Sequence, residues 1–275
     1  MIKRFLGVPG TLAPAAPAVF VAFVASVAYL GCGGGGDAGG GGEATSSEPA
    51  ATTAPAAVVD PATAGTLTGT AALEGTAPEQ QVIQMAADPV CARLHSTPVR
   101  TQFVVANEDG TLANVFVYVK EGLEGRSFPT PSEAVLLNQE GCTYDPHVFG
   151  IMVGQNLDIL NSDDTLHNIH AMPVNNEQFN IGQPVKGLTT TRSFENPEVM
   201  VPFKCDVHRW MNAYAGVLPH PYYSVTGEGG SFEVGNLPPG DYVVEAWHET
   251  LGAQTQNVTV GESETKELSF SFTAQ

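Results

Sequence analysis

The sequence predicts an all-β protein. From residue 65 onward, apolar and polar residues alternate with a period of two in a series of short segments, which is the pattern of half-buried strands. Turns such as EDG, GEGG and LPPG separate these segments, and no stretch shows an apolar stripe with the 3.6-residue period of a helix. Several short strands at this spacing are typical of a sandwich or a barrel. The alternating segments are GTLTGTAALEG, ANVFVYVKE, HVFGIMVGQNLDIL, EVMVPFKC, NAYAGVL, GSFEVGNL, DYVVEAWHE, NVTV and KELSFSF.

The sequence of residues 1–32 is typical of an export signal, which lies outside the folded domains. The basic start MIKR precedes an apolar stretch at 19–31, and Cys32 follows that stretch directly. The segment resembles a bacterial lipoprotein signal, in which the cysteine is lipidated, although Tyr29 stands where a leucine is usual. This resemblance implies export to the periplasm or cell surface and a lipid anchor on a bacterial membrane. An apolar segment that is retained as a membrane anchor is the alternative.

Residues 33–64 predict a flexible tether. They are rich in glycine, alanine, serine, threonine and proline, and they lack the apolar periodicity that a buried core requires. A tether of this kind lets a folded region stand away from the membrane that holds its lipid anchor.

The charge of the chain limits its partners. The full sequence has 11 basic and 29 acidic residues, and loss of Lys3 and Arg4 with the signal leaves 9 basic residues and a net charge of −20. A strongly acidic chain is repelled by nucleic acid and by anionic lipid surfaces. We therefore expect no nucleic-acid partner, and membrane contact only through the lipid anchor.

Residues 223–275 carry a recognisable pattern. A Gly-x-Phe strand containing Phe232 leads to a Leu-Pro-Pro-Gly turn at 237–240, and a strand that opens with Tyr242 follows. This pattern resembles the carboxypeptidase regulatory-like domain, which implies a small transthyretin-like β-sandwich. GTLTGTAALEG, in an N-terminal β segment at 65–127, resembles the first strand of the same fold. The two segments either form one sandwich that has the middle of the chain inserted, or fold separately.

The segment FKCDVHRWM holds Cys205, His208 and Met211 in series. A thiolate, an imidazole and a thioether form a soft ligand set that suits copper, and a blue copper site adds a second histidine to these three. His167 supplies that histidine from ILNSDDTLHNIHA, shortly after a predicted strand. A two-sheet sandwich can bring such a distant loop against the loop that carries the other three ligands.

The two motifs N-x-D-x-x-x-H-N and C-x-x-H-x-x-M together resemble the cupredoxin family, with a spacing similar to that of amicyanin-type members. The resemblance covers residues 128–222 and implies a Greek-key sandwich that holds one type 1 copper. It implies that Asn168 ties the two ligand loops together by hydrogen bonds. Arg209 stands where amicyanin-type members have proline, which leaves the reduction potential open. The ligands that it implies are His167, Cys205, His208 and the axial Met211.

Cys91 and Cys142 are the other two cysteines of the mature chain. In an exported protein the simplest prediction is one disulfide, which would tie the N-terminal segment to the cupredoxin segment. A second metal site is the alternative, because His95 and His147 follow the two cysteines, although their spacing matches no zinc pattern.

These features predict a one-electron carrier and not an enzyme. Copper in this ligand set changes oxidation state with little rearrangement, and His167 closes the site against substrate. Copper oxidases and nitrite reductases need further histidines, usually in His-x-His or His-Cys-His motifs, and neither motif occurs among the seven histidines here. The alternative functions are copper storage or delivery, and a cell-surface interaction module without electron transfer.

The predicted redox partner is a protein, either a basic c-type cytochrome or a periplasmic oxidoreductase. The acidic charge of the chain favours a basic partner, and salt would weaken such an attraction. Trp210 lies inside the ligand loop next to the predicted ligands. We expect its side chain either to form a docking patch at the surface or to pack into the core.

Overall fold

The computed structural model describes residues 59–274 and confirms the all-β fold class. Sixteen strands make up most of the regular structure of these residues, with a 3-10 turn at Met85–Ala87 and a short helix, α1 (Pro89–Leu94). Within this range no helix has the length and apolarity needed to span a membrane. The signal segment, Cys32 and most of the predicted tether lie outside the described residues.

An outer sandwich is formed by the two ends of the described chain. Its seven strands are β1 (Gly65–Glu74), β2 (Phe116–Glu121), β12 (Tyr223–Val225), β13 (Ser231–Leu237), β14 (Gly240–His248), β15 (Gly252–Val260) and β16 (Thr265–Thr273). One sheet has the order β13-β1-β16, in which β1 and β16 run parallel, and the other has the antiparallel order β12-β2-β14-β15. Alternate residues of the two sheets form one apolar core, which includes Leu67, Val117, Val244 and Phe270.

An inner sandwich is formed by the middle of the chain. Its nine strands are β3 (Val135–Glu140), β4 (Thr143–Asp145), β5 (Val148–Met152), β6 (Leu157–Asn161), β7 (His167–Ala171), β8 (Phe179–Gln183), β9 (Thr189–Arg192), β10 (Glu198–Lys204) and β11 (Asn212–Leu218). The two sheets have the orders β4-β3-β6-β9 and β5-β11-β10-β7-β8. Their buried residues form a second core, which includes Leu137, Ile159, Phe203 and Val217.

Part of the N-terminal segment packs on the inner sandwich. We call residues 79–102 the strap; it contains the 3-10 turn and α1, and an isolated bridge between Val82 and Arg100 brings its two ends together. Met85 and Cys91 of the strap are buried in the inner core. A disulfide between Cys91 and Cys142 fastens the strap to the inner sandwich. The N-terminal segment therefore contributes to both sandwiches.

Two glycines allow close packing where the two sandwiches meet. A Cβ on Gly216 would lie 2.3 Å from the Phe116 ring, and a Cβ on Gly150 would lie 2.1 Å from the Tyr223 ring. Neither distance is possible for a real side chain, so only glycine fits at these points. The aromatic residues come from β2 and β12, the strands that lead into and out of the inner sandwich. These strands pair with each other, with Tyr223 opposite Tyr118.

Candidate metal centre

The predicted ligands lie at one end of the five-stranded sheet. His167 opens β7, Cys205 directly follows β10, and Met211 directly precedes β11. The central strand β10 pairs with both β7 and β11, so these three positions are neighbours in space. The loop from Cys205 to Met211 is closed by two backbone hydrogen bonds, from Cys205 N to Met211 O at 3.1 Å and from Met211 N to His208 O at 2.9 Å.

Three of the four predicted ligands converge on one point. Nδ1 of His167 lies 2.9 Å from Nδ1 of His208, and Sγ of Cys205 lies 3.9 Å from the same His208 atom. The ligating atoms of these three residues all lie within 4.8 Å of one another, and each residue is at most 2% exposed. Met211 is also buried, in the same core as Cys205.

Asn168 links the two ligand loops. Its Oδ1 accepts hydrogen bonds from the backbone N–H of Asp206 at 2.7 Å and of Val207 at 3.3 Å, and from the Cys205 thiol at 3.3 Å. The backbone N–H of His208 donates to Cys205 Sγ at 3.3 Å. These contacts fix the position of the sulfur before any metal binds.

A carboxylate supports each of the two imidazoles. Nε2 of His167 donates to Asp163 Oδ2 at 2.9 Å, and Nε2 of His208 donates to Asp88 Oδ2 at 3.0 Å. Asp163 is itself held by the backbone N–H groups of Gly141 and Cys142, at 2.8 and 2.7 Å. Because a carboxylate only accepts, each Nε2 carries a ring hydrogen, and in the neutral form of each ring this leaves the lone pair on Nδ1.

The donor set fits a copper ion. The two Nδ1 atoms lie 2.9 Å apart, close enough to share a proton or to bind one metal ion together, and the Cys205 sulfur lies beside them. Two imidazole nitrogens and a thiolate are the ligands that copper prefers in a blue copper site, with a weak axial thioether as the fourth. His167, Cys205 and His208 would hold the ion, and the buried Met211 follows them in the same loop.

The electrostatics of the site favour a thiolate. In the metal-free site burial raises the pKa of the Cys205 thiol, but its contacts with the His167 and His208 rings outweigh burial and lower that pKa to about 6. For both histidines burial lowers the pKa, but their bonds to the neighbouring carboxylates and to Cys205 outweigh burial and raise it. The thiolate is the form of cysteine that binds metal.

Trp210 and the disulfide-bonded Cys91 and Cys142 cover His208. The Trp210 ring is half-buried with its centroid 5.1 Å from that of His208, and its Nε1 donates to Cys142 O at 2.9 Å. Cys91 and Cys142 are joined in a disulfide, so neither offers the free thiolate that a second metal site would need. His95 Nε2 lies 2.7 Å from the backbone oxygen of Gly141, the residue before Cys142.

Two other histidines bond away from the metal centre. His170 lies on the opposite face of β7 from His167, and its Nδ1 donates to Asp206 at 2.9 Å. His147 lies between the two sandwiches, where its Nε2 contacts Glu249 at 2.5 Å and its Nδ1 contacts Asn212 O at 3.1 Å. Neither joins the cluster of His167, Cys205 and His208.

Comparison with known proteins finds copper proteins. No family model and no curated protein matches the chain. A Cu(I) form of an amicyanin variant is 16% identical, with a TM-score of 0.28 over 32% of this chain and 85% of amicyanin. The purple cupredoxin of Nitrosopumilus maritimus is 22% identical, with a TM-score of 0.27 over 31% of this chain and 99% of that one. The copper-containing nitrite reductase of Thermus scotoductus SA-01 is 20% identical, with a TM-score of 0.30 over 34% of this chain.

These similarities are low and partial. Each covers about a third of this chain, and the aligned part spans only 24% of the nitrite reductase. All three are copper proteins by name. The residues of the candidate metal centre therefore carry the functional assignment.

The two carboxylates that support the imidazoles were not among the site residues predicted from the sequence. Asp163 stands four residues before His167, inside the motif N-x-D-x-x-x-H-N, and that spacing is a signal that could have identified it. Asp88 lies 120 residues before His208, so no local spacing connects the two. Its one local signal is its place before Pro89, where an aspartate caps the start of a helix.

Proposed function

We propose that the protein binds one copper ion as a type 1 centre and carries single electrons. The observation that carries this proposal is the convergence of the His167 Nδ1, His208 Nδ1 and Cys205 Sγ atoms in a buried site. When bound, copper supplies a one-electron change of oxidation state in a soft ligand set. The residues of the chain hold the ligand atoms in place through both states.

The surroundings of the site support a carrier over a storage or delivery protein. Both imidazoles are held by carboxylates, the sulfur is held by Asn168, and the strap covers His208. A fixed and covered site exchanges its metal slowly, whereas delivery requires ready exchange. A substrate would also lack a direct path to the ligands, since each is at most 2% exposed, so we propose no catalytic role.

The proposal extends to location and partners. An exported protein with a lipid anchor at Cys32 would act at the periplasmic or outer face of a bacterial membrane. Its acidic chain suits a basic c-type cytochrome or a periplasmic oxidoreductase as redox partner. The carboxypeptidase regulatory-like character of the outer sandwich stays a prediction from its sequence pattern.

The test is the spectrum of residues 58–275 after addition of Cu(II). We expect an intense blue or green absorption band and a small copper hyperfine splitting in electron paramagnetic resonance, both from a thiolate bound to copper. The variant Cys205→Ser should lose the band while the fold is retained, which circular dichroism checks. A pale solution with an ordinary Cu(II) signal, or a band that survives in Cys205→Ser, would refute the proposed ligand set.

A further inference from the structure

His208 is covered by a segment that lies outside the inner sandwich. It is 2% exposed, and its Nε2 faces the strap, 3.0 Å from Asp88 Oδ2 and 3.5 Å from Cys91 Sγ. Its other ring nitrogen faces His167. The strap therefore contacts the ring on the side opposite to His167.

The Asp88 carboxylate is fixed by several partners at once. Its Oδ1 accepts from the backbone N–H of Val90 at 2.7 Å and of Cys91 at 3.4 Å, which caps the start of α1. Its Oδ2 accepts from Thr165 Oγ1 at 2.9 Å as well as from His208. One side chain thus joins the strap, the loop before His167 and the ligand His208.

Resting on the copper function proposed above, we propose that Asp88 is a positioning residue that selects the tautomer of His208. An acceptor at Nε2 requires the hydrogen to be there, which leaves the Nδ1 lone pair free for the metal. A donor in the same place would favour the other tautomer, in which Nδ1 carries the hydrogen and cannot bind.

The disulfide joins the supports of the two imidazoles into one frame. Cys91 lies in the helix that Asp88 caps, and Cys142 donates its backbone N–H to Asp163, the partner of His167. Neither carboxylate can shift far without moving the other. Both histidines are in this way held with Nδ1 toward the same point.

The test compares variants that all retain the helix cap. Asparagine and serine are both favoured at this position, so Asp88→Asn and Asp88→Ser preserve the cap. When its oxygen caps the helix, the introduced asparagine turns its amide N–H group toward His208, whereas the introduced serine is too short to reach the ring. Thr165→Val is the matched control, because it removes a bond to the same carboxylate and leaves the Asp88–His208 contact intact.

Two measurements on the full mature chain test the role of Asp88: the tautomer of His208 and the affinity for copper. Nitrogen-15 NMR of the metal-free protein, at a pH where the His208 ring is neutral, should show the hydrogen on Nε2 of His208 in the wild type and in Thr165→Val, but on Nδ1 in Asp88→Asn. Copper affinity should fall about 10- to 100-fold in Asp88→Asn, the usual effect of losing such a partner, and less in Asp88→Ser. The control should bind copper like the wild type.

Three results would overturn the positioning role. They are a wild-type His208 with its hydrogen on Nδ1, an Asp88→Asn variant with unchanged tautomer and affinity, and equal losses of affinity in all three variants. If Asp88→Asn does not fold, Asp88→Ser decides between loss and retention of affinity. Copper uptake without a thiolate band would refute the electron-carrier proposal, but the tautomer measurement in the metal-free protein would remain valid.

Discussion

His220 is a buried histidine outside the cluster of predicted metal ligands, and it makes folding sensitive to acid. It is 6% exposed and packs against Phe128 and Tyr222. Burial lowers its pKa from 6.5 to about 4. The unfolded chain therefore binds this proton more readily than the folded chain does. The stabilising effect of the neutral ring is complete above pH 6.5 and is lost as pH falls from 6.5 toward 4.

We predict that His220→Gln reduces the pH dependence of stability. A depression of this size corresponds to about 3 kcal/mol of unfolding free energy lost between pH 6.5 and 4 in the wild type. Urea unfolding of the metal-free protein at several pH values measures the difference between the two proteins. Parallel pH curves for wild type and variant would contradict the prediction. His248, whose pKa burial also lowers to about 4, is unchanged in both proteins.

At the residue scale, the sequence was sufficient to name the side chains that converge, but not the side chains that hold them. His167, Cys205 and His208 stand in two motifs whose spacing alone points to copper. Whether the edge of His208 is open or covered depends on the strap, which is remote in sequence. No local pattern at residues 79–102 shows where that segment packs, and so the role of Asp88 and the burial of His208 require the three-dimensional structure.

Individual strands were predictable where one face is buried and the other is not. Along most of their length, buried residues alternate with half-buried residues in β1 and with exposed residues in β16, which is the period that the sequence displays. β9, with the sequence TTTR, is an edge strand without a buried residue, and β8, the edge strand of the other inner sheet, has one. Strands of this kind form because a sheet edge offers hydrogen-bond partners, and their side chains give little sign of it.

The disulfide holds the strap in place against the inner sandwich. Cys91 and Cys142 are 51 residues apart, and closing a loop of that length restricts the unfolded chain by about 4 kcal/mol in the chain-entropy model. The same bond keeps α1 over His208. The strap therefore affects both the stability of the fold and the access of solvent to His208.

We predict that the double variant Cys91→Ala, Cys142→Ala loses stability and releases copper faster. The loss of unfolding free energy should be about 2–4 kcal/mol, and transfer of copper to an excess of a chelator should accelerate because the strap can lift from His208. Denaturant titration measures the first effect and loss of the thiolate band the second. Reduced stability with an unchanged release rate would mean that the strap does not limit access to the metal.

The molecule as a whole is built by nesting one sandwich inside the other. β2 leads into the inner sandwich, β12 leads out of it, and the two strands are hydrogen-bonded to each other. Alternation along a strand does not indicate which distant strand it pairs with, so the sequence left nested and separate arrangements open. The pairing of β1 with β13 and β16 closes the outer sandwich around both ends.

Buried polar and aromatic contacts join the two sandwiches. The side chains of His147 and Glu249 are each 4% exposed and contact each other at 2.5 Å. The Tyr214 ring of the inner sandwich packs against the Trp247 ring of the outer one, with centroids 5.2 Å apart. Breaking this junction would leave buried polar groups without partners, at a cost of about 1–3 kcal/mol for each group. The two sandwiches should therefore unfold together.

The two tryptophans of the chain allow a direct test of this cooperativity. Trp210 lies in the ligand loop and Trp247 in β14, so Trp210→Phe and Trp247→Phe each leave one fluorescent reporter in one sandwich. We predict that both variants show coincident unfolding midpoints in denaturant. Zn(II), which is redox-inert and accepts cysteine and histidine ligands, should raise both midpoints equally. The expected stabilisation is about 2.7 kcal/mol at a free metal concentration of 100 times the dissociation constant.

The response of Trp247 to metal decides between one cooperative unit and two. A metal bound only in the inner sandwich can stabilise the outer sandwich only if the two unfold in a single transition. A Trp247 midpoint that stays fixed while the Trp210 midpoint rises would show that the sandwiches unfold independently despite their shared strands. Adding Cys205→Ser to each reporter variant is the control: it removes the thiolate ligand, so the rise should largely disappear at both reporters together.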